Sequence, residues 1–224
     1  MGSLKINGNI IKAVIFDFDG TLAKLNIDFQ HMRKEVLQIA LSYGIGPNLL
    51  ETKFVLEMIN TVSDKLSLNS TRESEYFKNE AMNFIENMET RAAEDGELFE
   101  NTKELLTVLK ANGLSTAVVS RNCEKAIFLV FPDILMYCNA VVCRDKVANV
   151  KPHPQHLHTA INILRASPPC TLMIGDHPLD IETGRNAGTF TAGVLTGHHL
   201  EIDFLNAGAD LVLAEASDLI KMIK

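Results

Sequence analysis

The chain has 224 residues, of which 46% are hydrophobic and 22% charged, a composition that excludes long disordered or fibrous segments. Its net charge of −7 argues against non-specific nucleic-acid binding, which needs a basic surface. Its apolar runs are shorter than the ~20 residues of a membrane span, and the first residues lack a signal-peptide pattern. We therefore expect a cytoplasmic protein with no nucleic-acid or membrane partner, present as a monomer or homodimer, whose cysteines are reduced.

The first long apolar run, NIIKAVIF, covers residues 9–16 and is broken by Lys12, and its last part, AVIF, predicts a buried strand over residues 13–16. It leads directly into two aspartates, Asp17 and Asp19, which are followed by Gly20 and Thr21. Because close carboxylates repel each other, a pair at the end of a buried strand requires a counter-charge or a function. The alternative is a solvated turn after the strand.

Residues 24–94 have a different pattern, because apolar residues recur at helical spacing and no strand-like run interrupts them. Helices are predicted over residues 28–44, 47–66 and 71–96, and Pro47 is placed to begin the second of them. We expect an inserted helical cap domain over residues 24–94. Residues 1–23 and 95–224 are then expected to form the catalytic core.

Beyond residue 95, short apolar runs alternate with helical stretches, which predicts a parallel sheet with helices on both faces. The runs lack polar alternation, as strands covered on both faces do, and they are residues 114–120, 139–143, 171–175, 189–195 and 209–213. The predicted fold class is therefore α/β, with a Rossmann-like doubly wound parallel sheet core and an inserted all-helical cap domain.

Polar side chains follow or end several of these predicted strands. Asp17 and Asp19 follow the first, Ser120 ends the run LSTAVVS, and Asp176 follows TLMIG. Ligands in open α/β sheets bind at the carboxyl ends of the strands, where these side chains would meet. The inserted helices leave the sheet at the same edge and would lie over it as a lid. The sequence thus predicts a catalytic cleft.

Four motifs stand in order along the chain, namely DFDGTL, VVSRN, KPHP and GDHPLDIETGRNAG. Together they resemble the haloacid dehalogenase-like hydrolase superfamily, in its phosphatase branch with a helical cap. The last motif is especially similar to phosphoglycolate phosphatase-like members. The resemblance implies a phosphomonoesterase that uses Mg²⁺ and hydrolyses a small phosphorylated metabolite, such as phosphoglycolate or a sugar phosphate. The dehalogenase branch lacks the second aspartate, since a leaving halide needs no proton, so Asp19 favours a phosphate ester.

The resemblance also implies a role for each polar residue. The expected catalytic residues are Asp17, which attacks phosphorus, Asp19, which moves the proton, and Lys151, which holds nucleophile and transferring group together. The expected phosphate-binding residues are Ser120, Asn122, Lys151, Gly20 and Thr21. The expected Mg²⁺ ligands are the carboxylates of Asp17 and Asp176, the backbone carbonyl of Asp19, and Asp180, directly or through a neighbour.

Simpler explanations exist for single residues. Asp176, Asp180 and Ser120 are each suited to the N-cap of a helix, and Lys151 alone would be typical of the surface. Two further functions use the same residues: a phosphomutase that passes the phosphoryl group to a sugar hydroxyl, and a non-catalytic binding protein on this fold.

The chain departs from the family at Lys24, where many capped members carry an aspartate. A lysine there brings a positive charge either to the substrate or only to the surface, so phosphoglycolate specificity does not transfer directly. The histidines of KPHPQHLH suggest a transition-metal site, but His156 and His158 do not share a helix face and no cysteine joins them.

Overall fold

The computed structural model describes residues 2–46 and 54–224. The chain divides into two compact units, Met1–Leu25 with Ala93–Lys224 and Asn26–Ala92. These divisions lie two residues from the predicted domain boundaries, after residue 25 instead of 23 and after residue 92 instead of 94. The helix start predicted at Pro47 lies outside the described residues.

The larger unit contains the strands of the described residues, which are β1 (Leu4–Ile6), β2 (Asn9–Ile11), β3 (Ala13–Phe16), β4 (Ala23–Lys24), β5 (Glu97–Leu98), β6 (Ser115–Ser120), β7 (Ala140–Cys143), β8 (Thr171–Gly175), β9 (Phe190–Val194) and β10 (Leu211–Leu213). Six of these described strands form a parallel sheet in the order β10-β9-β8-β3-β6-β7. The chain winds from β3 outward to β7, then returns to β8 and winds the other way. The predicted doubly wound sheet is confirmed, and β3 and β8 are neighbours where the winding reverses.

The helices of the described residues are α1 (Phe29–Ser42), α2 (Val55–Ser67), α3 (Thr71–Glu94), α4 (Thr102–Ala111), α5 (Glu124–Val130), α6 (Ile134–Tyr137), α7 (Pro154–Ile163), α8 (Pro178–Ala187) and α9 (Glu201–Ala207). Ala160 of α7 and Ala187 of α8 share a buried cluster with Ile15, Val119 and Met173 of the sheet. Helix α4 packs against β6 as well. Among the described residues, none of the helices combines the length and apolar character that crossing a bilayer requires.

The strand predicted at AVIF is confirmed as β3, whereas the first part of the same apolar run forms the separate strand β2. Strand β2 pairs with β1 in an antiparallel hairpin outside the main sheet. Asn7 and Gly8 connect the two strands, with φ of 49° and 82°. Both values lie in the left-handed region, where an Asn-Gly pair forms the tight turn that matches the twist of a hairpin. Only β3 therefore belongs to the buried sheet.

The smaller unit consists of three helices around a core of their own within the described residues. The members of this core are Met32, Val36, Ala40, Ile45, Val55, Met58, Ile59, Val62, Leu66, Phe77, Ala81 and Ile85. They recur at helical spacing, which is why the sequence pattern predicted helices here. At its edge, Lys24 lies in β4 opposite Glu97 of β5, so this residue belongs to the larger unit.

Candidate active site

Lys151 lies buried between two carboxylates at the carboxyl edge of the sheet. Asp17 directly follows β3, and its backbone N–H donates to the carbonyl of Ile174 in β8 at 2.8 Å. Lys151 Nζ is 2.7 Å from Asp17 Oδ1 and 2.6 Å from Asp180 Oδ1. The Lys151 side chain is 2% exposed, so solvent ions screen these two contacts weakly. The interpretation of Lys151 as a surface lysine is wrong.

Three carboxylates surround this position. Asp17, Asp176 and Asp180 offer oxygen atoms that all lie within 4.8 Å of one another. Asp176 directly follows β8, and Asp180 lies in the first turn of α8. The Lys151 ammonium group bonds to two of these three carboxyl groups, so within this group of described residues the acidic groups outnumber the basic one. An oxygen-only donor set with excess negative charge suits a hard divalent cation such as Mg²⁺.

Burial and mutual repulsion perturb the titration of these groups. Burial raises the pKa of Asp17, and the attraction of Lys151 opposes that rise. Burial, followed by the charges of neighbouring carboxylates, raises the pKa of Asp176 to about 8. Burial lowers the pKa of Lys151, but the two attached carboxylates outweigh this effect and the pKa is raised overall. Lys151 is therefore charged at neutral pH, whereas burial and the neighbouring carboxylates favour the protonated form of Asp176.

Backbone atoms approach Asp176 closely. Gly20 has a φ of 84°, and a Cβ at this residue would collide with the Asp176 carboxylate. A Cβ on Gly197 would collide with the same carboxylate. Thr21 Oγ1 also donates to Asp176 Oδ1, at the long distance of 3.5 Å. Gly20 and Thr21 thus lie at the carboxylate cluster, and their predicted contact with phosphate stays a prediction.

The Asp19 side chain bonds to a different group from the one that Asp17 contacts. Asp19 Oδ1 accepts the backbone N–H of Leu25 at 2.9 Å. Its carboxylate is outside the group of three, although its charge helps to raise the pKa of Asp176. Asp19 is therefore near enough to the cluster to influence it electrostatically. Its predicted roles in proton transfer and, through its carbonyl, in metal binding stay predictions.

Ser120 and Asn122 lie where β6 ends, beside β3. Ser120 is 2% exposed, and its Oγ accepts the Asn122 backbone N–H at 3.2 Å. The N-cap of α5 is Cys123, so the interpretation of Ser120 as a cap is wrong. Asn122 is 6% exposed, and its Nδ2 has no hydrogen-bond partner among the described residues. A buried amide donor without a partner is costly, and a ligand oxygen would satisfy it.

The N-cap of α8 is His177, which corrects the interpretation of Asp176 as a cap. His177 Nδ1 accepts the Leu179 N–H at 2.9 Å, and Asp180 Oδ2 accepts the His177 N–H at 3.2 Å. Asp180 is not the N-cap either: it is the third residue of the helix, its carboxylate accepts the N–H of the N-cap residue, and the same carboxylate binds Lys151. Burial, followed by a neighbouring histidine, lowers the pKa of His177 to about 4, so this side chain is neutral at physiological pH.

The histidines of KPHPQHLH bond to backbone atoms. His153 is the N-cap of α7, and His158 Nε2 lies 3.2 Å from the carbonyl of Ala187. His156 is fully buried, and its Nδ1 accepts the backbone N–H of Lys151 at 3.1 Å. The group of metal-type ligands found in the described part of the chain is made of aspartates and includes none of these histidines.

The four motifs thus lie in four separated segments of the chain, and these segments meet at one edge of the sheet. The family model for haloacid dehalogenase-like hydrolases matches residues 14–194, which include all of these segments. The chain belongs to the haloacid dehalogenase-like hydrolase family. The predicted family is confirmed. The prediction that the protein is a phosphatase is confirmed as well, because similar proteins of known name are phosphatases.

Named members of this family are similar to the chain over most of its length. N-acetylmuramic acid 6-phosphate phosphatase of Pseudomonas putida is 30% identical over 95% of this chain and 96% of its own. Pyrophosphatase PpaX of Bacillus cereus is 30% identical over 82% of this chain and 83% of its own. The crystal structure of a predicted phosphoglycolate phosphatase from Haemophilus somnus shares the fold, with a TM-score of 0.64 and 22% identity over 95% of this chain and 97% of that one.

Sequence reasoning missed two side chains that contact the backbone of Lys151. His156 binds its N–H, and Arg121 Nη1 donates to its carbonyl. The sequence pattern suggests His156 only as a metal ligand. Arg121 is 30 residues and His156 five residues from Lys151 along the chain, and a motif pattern contains no signal for either contact.

Proposed function

We propose that the protein is a Mg²⁺-dependent phosphomonoesterase that hydrolyses a small phosphorylated metabolite through an aspartyl-phosphate at Asp17. The observation that carries the proposal is the buried Lys151 ammonium, which contacts both Asp17 and Asp180 at the carboxyl edge of the sheet. A buried carboxylate held by an ammonium group at a ligand-binding edge is suited to nucleophilic attack on phosphorus.

The reaction proceeds in two steps. An Asp17 oxygen bonds to phosphorus while the bond to the leaving oxygen breaks, and Asp19 donates a proton to that oxygen. A water molecule then attacks phosphorus, Asp19 accepts the water proton, and the Asp17 carboxylate is released together with phosphate. Lys151 stabilises the negative charge on the transferring group, and the buried Asn122 amide and Ser120 hydroxyl donate to its oxygens.

Asp17, Asp176 and Asp180 fit a magnesium ion, because they form an oxygen-only set and because burial, followed by the neighbouring carboxylates, raises the pKa of Asp176. Together with the carbonyl of Asp19, these residues would hold it. When bound, Mg²⁺ supplies positive charge between the aspartates and an anionic phosphoryl group.

The names of the relatives support a proposal for the substrate class, and the net charge indicates how an anionic substrate would be held. The named relatives act on N-acetylmuramic acid 6-phosphate and, as a pyrophosphatase, on pyrophosphate. We propose a substrate of similar size, a sugar phosphate or a phosphoglycolate-like acid. Because the chain has a net charge of −7, the attraction for this anion must be local, from Lys151, from backbone donors and from the cation. The helices of residues 26–92 are proposed to act as the cap that selects it.

The test is a phosphate-release screen with phosphoglycolate, N-acetylmuramic acid 6-phosphate, other sugar phosphates, nucleotides and pyrophosphate. We expect Mg²⁺-dependent release from at least one sugar phosphate or phosphoglycolate, and loss of release in EDTA that added Mg²⁺ restores. Interconversion of sugar phosphate isomers without net phosphate release would instead identify a phosphomutase. No turnover of any compound, combined with failure to bind BeF₃⁻ and Mg²⁺, would favour a non-catalytic protein.

Replacing Asp19 with Ala is expected to slow turnover most for poor leaving groups, because those need the proton in the first step. General acid catalysis contributes about 10²–10⁴-fold, so an alkyl phosphate should lose activity in that range. p-Nitrophenyl phosphate should lose less, since nitrophenolate leaves without a proton. Comparison of kcat/KM for the two substrates checks this. An equal loss for both would contradict the role of Asp19 as a general acid.

A further inference from the structure

The backbone of Lys151 is held at both of its polar atoms by side chains. Its N–H donates to His156 Nδ1 at 3.1 Å, and its carbonyl accepts from Arg121 Nη1. Arg121 follows β6, whereas His156 lies in the first turns of α7. Two elements on either side of the Lys151 loop therefore fix its backbone, while its side chain reaches Asp17 and Asp180.

His156 makes a second bond that fixes the form of its ring. Its Nε2 lies 3.0 Å from the carbonyl of Val142 in β7. Because a carbonyl only accepts, Nε2 carries the proton, and Nδ1 is then the acceptor for the Lys151 N–H. Burial, followed by the charge of Lys151, lowers the pKa of His156 to about 3, so the neutral ring persists at physiological pH. The ring thus connects Val142 of β7 to the Lys151 backbone through one hydrogen bond at each nitrogen.

The position of His156 is otherwise one that an apolar residue would occupy. The side chain is completely buried, and its neighbours along the helix, Leu157, Ala160 and Ile161, belong to the core cluster beneath the sheet. A polar ring in such a place costs free energy unless both nitrogens are bonded, as they are here. Packing alone thus does not explain a histidine at this position. The Lys151 N–H does explain it, because this N–H needs an acceptor and His156 Nδ1 provides one.

We infer that His156 is a positioning residue, which places Lys151 so that one ammonium group contacts Asp17 and Asp180 at once. A lysine side chain has a flexible four-carbon stem, so the position of the Lys151 backbone decides whether Nζ can make both contacts, at 2.7 and 2.6 Å. A shift of the backbone would lengthen at least one of them. The inference rests on the proposed function, in which Lys151 assists attack by Asp17.

The test compares three substitutions that differ in which ring nitrogen they replace. His156→Asn puts an amide oxygen near the position of Nδ1 and keeps an acceptor for Lys151. His156→Gln extends its amide toward the position of Nε2, keeping the donor to Val142 without that acceptor. His156→Leu fills the space with neither. For each we would measure kcat and KM with p-nitrophenyl phosphate and Mg²⁺, and the midpoint of thermal unfolding.

His156→Gln is expected to lose about 10- to 100-fold in kcat with little change in KM, as misplacement of a catalytic group by about 1 Å does. His156→Asn should recover most of that kcat even if it is the less stable of the two. Equal kcat for the Asn and Gln variants, or a kcat that follows only the unfolding midpoint, would overturn the inference. The Asn and Gln pair decides the question even if the Leu variant does not fold.

A spectroscopic measurement separates this inference from the proposed function. Long-range ¹H–¹⁵N correlation of the unaltered protein should give a neutral His156 ring with its proton on Nε2. A proton on Nδ1 would overturn the inference whether or not the protein releases phosphate. Absence of phosphate release together with the expected tautomer would instead contradict the proposed function and, with it, the catalytic purpose of the contact.

Discussion

Replacing Asp17 with Asn is expected to abolish phosphate release while the larger unit stays folded. The amide cannot attack phosphorus, and loss of a covalent nucleophile costs about 10⁶-fold in kcat in other enzymes. Folding should persist because Lys151 keeps its second partner, Asp180, 2.6 Å away. Removal of one of three crowded carboxylates also relieves repulsion within the cluster. Steady-state phosphate release and thermal unfolding, measured on the same preparation, check both parts.

The unaltered protein provides the control. Acid quenching during turnover followed by borohydride reduction should convert phosphorylated Asp17 to homoserine, which peptide mass spectrometry detects. The Asp17→Asn variant should yield none. Near-normal turnover by a preparation of this variant that peptide mass spectrometry shows to be free of deamidated protein would disprove attack by Asp17.

Replacing Lys151 with Met is the second large effect that we expect, on activity and stability together. Loss of one positioned donor to a transition state lowers kcat by about 10²–10³-fold. Removal of one partner from a buried ion pair destabilises proteins by about 3–5 kcal/mol, because a charge is left without compensation. Here two carboxylates lose their partner. Urea unfolding in EDTA measures the free energy, and phosphate release in Mg²⁺ measures the activity.

The double variant Lys151→Met, Asp180→Asn separates these two effects. It removes the ammonium and one of its two carboxylates, so part of the lost stability should return. The activity should not, because the contact between Lys151 and the reacting groups is still missing and one of the proposed Mg²⁺ ligands is removed as well. If activity recovered along with stability, Lys151 would be a structural residue only. Unchanged stability in the single variant would show that its contacts with Asp17 and Asp180 contribute nothing to folding.

The sheet was predictable because burial on both faces leaves a clear sequence pattern. The run TLMIG matches β8 residue for residue, and STAVVS forms β6. The hairpin of β1 and β2 was not predicted, since the apolar character of residues 9–11 does not show that they pair outside the main sheet. The Asn7-Gly8 pair does contain that information, as a hairpin-turn signal directly before the run. Strands β4 and β5 come before and after the insertion in the chain and pair with each other. Each has only two residues, which are too few to form a recognisable sequence pattern.

The candidate site was predictable to the extent that motifs determine which strand end a residue follows. Asp17 and Asp176 meet because β3 and β8 are neighbours, a consequence of the doubly wound order. The contacts of Lys151 were less predictable, since its partners depend on how the loop before α7 packs against the sheet. The backbone bond from Lys151 to His156 depends on a ring orientation that tertiary packing sets. The local sequence pattern could suggest His156 as a metal ligand, but not as a link between β7 and the Lys151 backbone.

Strand β3 has a consequence for how this chain is made. It is buried on both faces, and Ile15 pairs with Ala117 of β6 and Met173 of β8, both far later in the chain. Ribosomes add about 5–20 residues per second, so β3 is synthesised several seconds before either partner exists. The core of helices α1 to α3 uses residues made within that interval and can form first. We therefore expect a nascent chain with a folded helical unit and an unpaired apolar strand, a binding site for chaperones until β8 is synthesised.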